Sequence, residues 1–164
     1  MAIPLLSRTQ RKSTKHSKQN KERKITNWII LITCGKSKLP HPSPAKDLYT
    51  GTAFRSNWRW ASSVFPESQI FIISAKHGLL RPSQIIAPYN LRMGAPGSIS
   101  RDMIQSQAEA LGIAQKRVCF IGGDDYMEAI RTIWADVRHP TKGLALGKKA
   151  QLLKRNLGKF PYKD

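Results

Sequence analysis

Residues 74–90 contain several neighbouring side chains that could act on a bound molecule. Lys76 and His77 follow directly after a β-branched run, and Tyr89 and Asn90 follow a second, shorter apolar run. Strands that end in polar loops are how α/β proteins present functional groups. A lysine can contact phosphate, an imidazole can protonate a departing base, a phenol ring can stack on a base and an amide can read its edge. The structural alternative is a Gly-containing turn whose histidine only bonds to backbone.

Residues 34–38 form a second polar group, and they follow the first apolar run of the chain. They read Cys-Gly-Lys-Ser-Lys, so that Lys36, Ser37 and Lys38 come directly after a glycine turn. Exposed backbone N–H groups and two lysines suit a phosphate group. The spacing is not that of a Walker loop, so we do not expect ATP hydrolysis. Cys34 is either a nucleophile or, more simply, a small buried residue at a strand end.

Asp47 and Tyr49 lie in the long Pro-rich loop of residues 36–50. Carboxylates are scarce in this chain, which makes Asp47 a candidate to orient water or to stabilise a sugar cation. The alternative for Asp47 is a turn-forming carboxylate whose surface partner is Lys46. Tyr49 is a second candidate, beside Tyr89, for stacking on a base. The sequence therefore predicts Asp47, His77 and Lys76 as catalytic residues.

The chain is strongly basic, with 28 Lys and Arg against 10 Asp and Glu and a net charge of +18. Residues 1–24 contain eight of the cations and one acid, so the rest of the chain is itself basic. Such a field favours polyanions, and nucleic acid is the first candidate. Residues 137–163 contain eight cations and no acid. We expect Lys148 and Lys149 in that segment to contact the nucleic-acid backbone.

Several classes of protein are not indicated by the sequence. No apolar run approaches 18 residues, so no membrane span is expected. Cys34 and Cys119 lack the spacing of a zinc site, and free thiols are typical of the reducing cytoplasm, where we place the protein. Asp124 and Asp125 are more simply explained as helix-capping residues than as metal ligands. We therefore predict no metal and no cofactor.

The hydrophobic pattern predicts a disordered basic tail over residues 1–26 and a single α/β domain over 27–164. Continuous apolar runs predict strands at 28–34, 70–74 and 117–122. Helical spacing predicts helices at 53–64 after a Thr52 cap, 101–110, 125–134 after an Asp124 cap, and 146–156. Strands that alternate with helices indicate a mostly parallel central sheet flanked by helices. We expect a monomer.

Four segments also carry a family resemblance. They are S-A-K-H-G-L-L-R-P with I-I-A-P-Y-N-L-R-M-G at 74–94, C-G-K-S-K at 34–38, P-A-K-D-L-Y-T at 44–50 and H-P-T-K-G-L-A-L-G-K at 139–148. Together they resemble the YaaA-like (peroxide-stress DNA-binding) family and its shorter phage and bacterial relatives. The resemblance implies a compact α/β domain with a positively charged nucleic-acid cleft. Such a fold is similar in kind to that of uracil-DNA-glycosylase-like proteins.

The leading functional hypothesis is a DNA glycosylase that hydrolyses the N-glycosidic bond of a nucleobase, which we expect to be a modified one, and leaves an abasic site. The reaction needs a flipped base, a stacking ring, donors for the leaving base, a positioned water and negative charge near the sugar. Double-stranded DNA is the expected partner, with RNA as an alternative, and excision from phage DNA is one biological setting. Two other hypotheses stay open: a non-catalytic DNA-binding stress protein, and a base-modifying transferase acting on tRNA or DNA.

Overall fold

The computed structural model describes residues 26–160 of the protein. The predicted basic tail, residues 1–26, therefore lies outside the described residues except for its last position. All structural statements below refer to the described part of the chain.

A five-stranded sheet forms the centre of the domain, and a separate two-stranded antiparallel ribbon lies beside it. The sheet has the order β4-β3-β1-β6-β7 and is parallel except for β4, which pairs antiparallel with β3. Its three long strands are continuous apolar runs, because both faces of the sheet are covered. The strands of the sheet are β1 (Trp28–Thr33), β3 (Ile70–Ser74), β4 (Gly78–Leu80), β6 (Arg117–Ile121) and β7 (Val137–Arg138), and those of the ribbon are β2 (Ser43–Pro44) and β5 (Ile85–Ile86).

Helices cover both faces of the sheet. The second and fifth helices pack with Ile30 and Ile32 of β1 on one face, and the third and fourth pack with Ile29 and Leu31 on the other. This alternation follows from the two-residue period of a strand. The helices are α1 (Ala45–Leu48), α2 (Thr52–Val64), α3 (Arg101–Ala110), α4 (Asp124–Ile130) and α5 (Leu146–Arg155), with a short 3₁₀ turn (Glu67–Gln69) before β3.

The predicted fold class is confirmed as an α/β domain with a mostly parallel sheet flanked by helices.

Two predicted helix caps are wrong by one residue: Thr52 and Asp124 are the first helical residues, and glycines precede them in the cap positions. The helix predicted to reach Trp134 ends at Ile130. It ends there because the Trp134 indole leaves the helical path for the core, where it donates to the carbonyl of Ile113 at 2.9 Å.

The connections around β1 and β6 create a crevice at the carboxyl edge of the sheet. These two strands are neighbours, but the chain leaves β1 towards α2 on one face and leaves β6 towards α4 on the other. Loops that diverge to opposite faces leave an opening between them, and this is where open α/β sheets bind ligands. The residues that follow Thr33 and Ile121 are therefore the first candidates for a ligand-binding site.

Candidate functional site

A cleft of about 640 Å³ occupies this crevice. Three separate segments build it: the loop after β1, the segment after Tyr89, and the start of α4. Of the residues predicted from sequence, the structure brings Lys36, Lys38 and Asn90 together in the cleft. The residues that line it are Cys34, Gly35, Lys36, Lys38, Asn90, Leu91, Arg92, Met93, Asp125 and Tyr126.

Cys34 and Tyr126 connect the loop after β1 to the start of α4. The Cys34 Sγ lies 3.0 Å from the Tyr126 hydroxyl oxygen, a hydrogen bond in which either group can donate. Burial is the main reason that the pKa of Tyr126 is raised, with Cys34 adding to it. The phenol is therefore protonated at neutral pH and can act as a hydrogen-bond donor.

Asp125 is the carboxylate of the cleft, and it is exposed. Sequence reasoning treated it with Asp124 as a helix-capping residue, but α4 has no side-chain hydrogen bond at its cap. Asp125 follows the glycine pair 122–123 at the end of a buried strand, and from this position a cleft residue could have been predicted. Tyr126 and Arg92 are further cleft residues that sequence reasoning missed.

Three cations, Lys36, Lys38 and Arg92, also line the cleft. The Lys38 Nζ donates to the carbonyl of Lys36 at 3.1 Å, and burial lowers the pKa of Lys38. Arg92 adds a third positive charge, and the exposed Ser37 lies beside the lysines without lining the cleft. Among residues 26–160, no protein acceptor receives the backbone N–H groups of residues 35–38. The loop can therefore offer both backbone donors and lysines to an anionic group.

Tyr89 is held by a short chain of hydroxyl groups next to the cleft residue Asn90. Its hydroxyl lies 2.6 Å from the Ser74 Oγ and 2.8 Å from the Tyr49 hydroxyl. The Ser74 Oγ also accepts from the backbone N–H groups of Lys76, at 3.2 Å, and His77, at 3.1 Å. Because those two bonds occupy both acceptor positions of the serine, Ser74 must donate to Tyr89. The turn after β3 is thereby coupled to the orientation of the Tyr89 ring.

Tyr49 does not have the accessible ring that the predicted stacking role requires. Its side chain is fully buried against Phe54 and Tyr89, so no base can reach its face in this structure. The reason is the antiparallel bridge between Lys38 and Tyr49, which turns this side chain into the core. Tyr49 instead supports Tyr89, whose half-buried ring has the Lys38 Nζ 4.4 Å from its centroid. Burial raises the pKa of both phenols.

His77 and Lys76 lie beside the Tyr89 ring and do not line the cleft. The half-buried His77 ring packs edge-to-face on Tyr89 at 5.4 Å, and its Nε2 has no partner within residues 26–160. Burial, and then Lys76, lowers the pKa of His77, so the imidazole is neutral at pH 7. The side-chain amide of Gln107 fixes the adjacent backbone by donating to the His77 carbonyl at 2.8 Å. The exposed Lys76 places its Nζ 5.9 Å from the Tyr89 centroid.

Asp47 is not brought to the cleft. It is exposed on the one-turn helix α1, and it is absent from the residues that line the cleft. Its predicted surface partner, Lys46, forms an ion pair with Glu67 at 3.0 Å instead. Asp47 therefore lies apart from the cleft, and the carboxylate that lines the cleft is that of Asp125.

Lys148 and Lys149 lie on the first turns of α5, near the carboxyl edge of the sheet. The Lys149 Nζ is 3.4 Å from the carbonyl oxygen of Gly122, which also receives a 3.1 Å bond from His139 Nε2. Lys148 is exposed. Both lysines thus lie beside the end of β6 but outside the cleft lining.

Two further features of the described residues bear on function. No group of three or more His, Cys, Asp or Glu side chains within residues 26–160 is arranged to hold a metal ion. None of the helices in that range combines the length and the apolar character needed to cross a bilayer.

The part of the chain that resembles known proteins includes all the residues of the cleft. Residues 29–155 match the model of DUF6884, described as a family of unknown function, and this range includes every cleft residue. The uncharacterized protein YfjM of Bacillus subtilis (strain 168) is 27% identical over 121 residues, which cover 68% of this chain and 79% of that protein. The chain therefore belongs to the DUF6884 family.

Proposed function

We propose that this protein is a DNA glycosylase that hydrolyses the N-glycosidic bond of a nucleobase, with the cleft as its active site. The observation that carries the proposal is the composition of that cleft. Three cations, one carboxylate, one amide and one protonated phenol meet at the switch point of a parallel sheet. A volume of about 640 Å³ lies within the range of small-molecule sites and suits one extruded nucleotide.

The cleft residues divide into groups that bind and groups that react. Lys36, Lys38 and Arg92 bind the phosphates that flank the extruded nucleotide. Asn90 reads the hydrogen-bonding edge of the base. These contacts hold the sugar at a fixed distance from the two reacting groups of the protein.

Asp125 and Tyr126 serve the bond-breaking step. The bond between the anomeric carbon and the base nitrogen breaks while the oxygen of a water molecule bonds to that carbon. Asp125 stabilises the positive charge on the sugar and takes the proton from the water, and the Tyr126 hydroxyl donates a hydrogen bond to the departing base. The base leaves with the bonding electron pair and takes up a proton from solvent, while Asp125 returns its proton to solvent. The phosphates of the DNA add further negative charge near the sugar. The products are a free base and an abasic site.

The residues around Tyr89 position the cleft rather than react. Ser74, Tyr49 and His77 fix the Tyr89 ring, and Asn90 follows Tyr89 directly in the chain. We also infer that the fold is of the YaaA-like and uracil-DNA-glycosylase-like kind. The resemblance of the segments at 34–38, 44–50, 74–94 and 139–148 to the YaaA-like family supports this inference, together with the mostly parallel sheet.

A second candidate is a base-modifying transferase, which is favoured by Cys34. This thiol lies in the same cleft and is bonded to the Tyr126 hydroxyl, where it can add to an electrophilic carbon of a base. The two candidates differ in their requirements, because a transferase needs a second substrate and a glycosylase needs only water.

The experiment measures base release from DNAs that carry different modified bases. Released bases are identified by mass spectrometry, and abasic sites are counted as strand breaks formed on heating in alkali. We expect release without a co-substrate, intact strands before alkali, and no adduct trapped by borohydride. Asp125→Asn should lower the rate by at least about 100-fold without lowering thermal stability.

Asp47→Asn is the matched control, since it makes the same change at an exposed aspartate outside the cleft. It should retain activity within about threefold of the wild type. If Asp125→Asn also retains activity within about threefold of the wild type, Asp125 is not the essential carboxylate. Tight binding without release from any DNA would refute the glycosylase in favour of a non-catalytic DNA-binding protein.

A further inference from the structure

The two helical layers of the domain carry opposite charge. The layer formed by α3 and α4 has five acids and one cation, whereas the layer formed by α2 and α5 has six cations and no acid. None of the six forms an ion pair within residues 26–160. The cations of the second layer are Arg55, Arg59, Lys148, Lys149, Lys154 and Arg155.

A groove of about 280 Å³ runs between α2 and α5. The end of α2 meets the end of α5, since Trp60 Nε1 donates to the Asn156 carbonyl at 3.0 Å and the Gly158 N–H donates to the Ser63 Oγ at 2.9 Å. The two helices therefore run in the same direction. The exposed side chains of Arg55, Arg59 and Lys154 form its walls, while the buried Leu153 and half-buried Leu157 contribute an apolar floor.

The groove begins beside the loop that forms the cleft. Its first lining residue, Thr52, follows Gly51, and a Cβ on Gly51 would lie 4.0 Å from the Cβ of Ser37 in the cleft loop. At the same edge, Lys149 of α5 reaches the end of β6. The groove therefore begins at the same edge of the sheet as the cleft.

We propose that the groove between α2 and α5 binds the sugar–phosphate backbone of nucleic acid. The cationic walls complement phosphates, and the apolar floor complements the faces of the sugars between them. The eight residues from Thr52 to Arg59 span roughly 10 Å of helix, so the groove is long enough to contact a few neighbouring phosphates of one strand. This binding surface does not depend on the reaction that takes place in the cleft.

The test compares two triple variants of the full-length chain that change the net charge equally. The groove variant is Arg55→Gln, Arg59→Gln and Lys154→Gln. The control variant is Arg101→Gln, Lys116→Gln and Arg131→Gln, which removes three cations away from the groove. Binding of a fluorescent DNA duplex of about 20 base pairs is measured over a series of salt concentrations.

We expect the groove variant to lower the slope of log K against log salt by about 2 to 3 units, because each phosphate that a cation neutralises contributes about 0.9. At about 0.15 M salt its affinity should fall roughly 10- to 100-fold. The control should change the slope by less than about 1 unit. If the triple groove variant unfolds, the single variants Arg55→Gln and Lys154→Gln should each lower the slope by about 0.9.

Equal reductions in affinity and slope in the groove and control variants would mean that only net charge matters, and would overturn the proposal. An unchanged groove variant would overturn it as well. Weaker binding to phosphatidylserine vesicles with unchanged DNA binding would assign the groove to a membrane surface instead. Because the readout is binding, a protein that releases no base still tests this proposal separately from the glycosylase.

Discussion

Ser74 links the backbone to the side chains around the cleft. It is fully buried at the end of β3, where it accepts from two backbone N–H groups and bonds to the Tyr89 hydroxyl. An alanine at this position would leave both N–H groups and the tyrosine without this partner. Buried donors without acceptors are costly, so this hydroxyl contributes to stability as well as to the orientation of Tyr89.

Ser74→Ala and Tyr89→Phe should each lower the free energy of unfolding by about 1 to 3 kcal/mol, since each leaves buried hydrogen-bonding groups unpaired. The double variant should lose less than the sum of the two, with a coupling energy of at least about 0.5 kcal/mol. Urea unfolding measures all three. Ser62→Ala on the exposed side of α2 is the control and should stay within about 0.5 kcal/mol of the wild type. Additive effects would show that the two hydroxyls act independently.

Part of the site could be predicted from residues alone. Lys36 and Lys38 follow the buried strand β1, and strand ends of a parallel sheet meet at one edge. Asn90 was predicted from its chemistry, although it follows the ribbon strand β5 and not a strand of the sheet. The choice between Asp47 and Asp125 could not be made in this way. Residues 36–50 have no hydrophobic period, and their side-chain directions depend on the bridge between Lys38 and Tyr49, which joins positions with no local pattern.

Length separates the elements that could be predicted from those that were missed. The strands β1, β3 and β6 have five or six residues and continuous apolar sequence, which is enough for the pattern to be read. The missed strands β2, β4, β5 and β7 have two or three residues each. Such short segments contain no complete period, and they become strands only because a partner elsewhere in the chain pairs with them.

Gly78 starts β4 and shows how tightly the turn after β3 is packed. It has a φ of +72°, and a Cβ at this position would overlap the side chains of Gln107 and Ile99. The same Gln107 accepts from the Leu79 N–H at 2.8 Å and donates to the His77 carbonyl. The glycine is therefore needed for its backbone conformation and for the space that it leaves to Gln107.

Gly78→Ala should lower the free energy of unfolding by roughly 2 to 4 kcal/mol, from the left-handed conformation together with overpacking. Gly94→Ala is a matched comparison, because Gly94 has a φ of +82° but nothing within 4 Å of the added Cβ. It should cost only about 1 kcal/mol. Thermal and urea unfolding of both variants measure the difference. Equal costs would mean that Gln107 and Ile99 move aside freely and that packing around the turn is loose.

At the scale of the whole molecule, the placement of charge matters more than its total. Ion pairs within residues 26–160 involve only three acids, Glu67, Glu128 and Asp136. Composition alone indicates a basic protein, but it does not reveal that α2 and α5, about 90 residues apart in the chain, combine their cations on one layer. The parallel sheet brings these helices side by side, and only the topology provides that information.

Removal of residues 1–24 tests how the charge outside the described residues combines with this layer. The deletion takes away eight cations and one acid, and the remainder keeps 20 cations against nine acids. The slope of log K against log salt for duplex DNA should fall by up to about 7 units, since each phosphate that a tail cation neutralises contributes about 0.9. The truncated protein should still bind DNA at low salt, and the groove variant should still differ from its control in this background. An unchanged slope would show that the tail neutralises no phosphates. A truncated protein with no measurable DNA binding at low salt would show that the layer of α2 and α5 is too weak to bind alone.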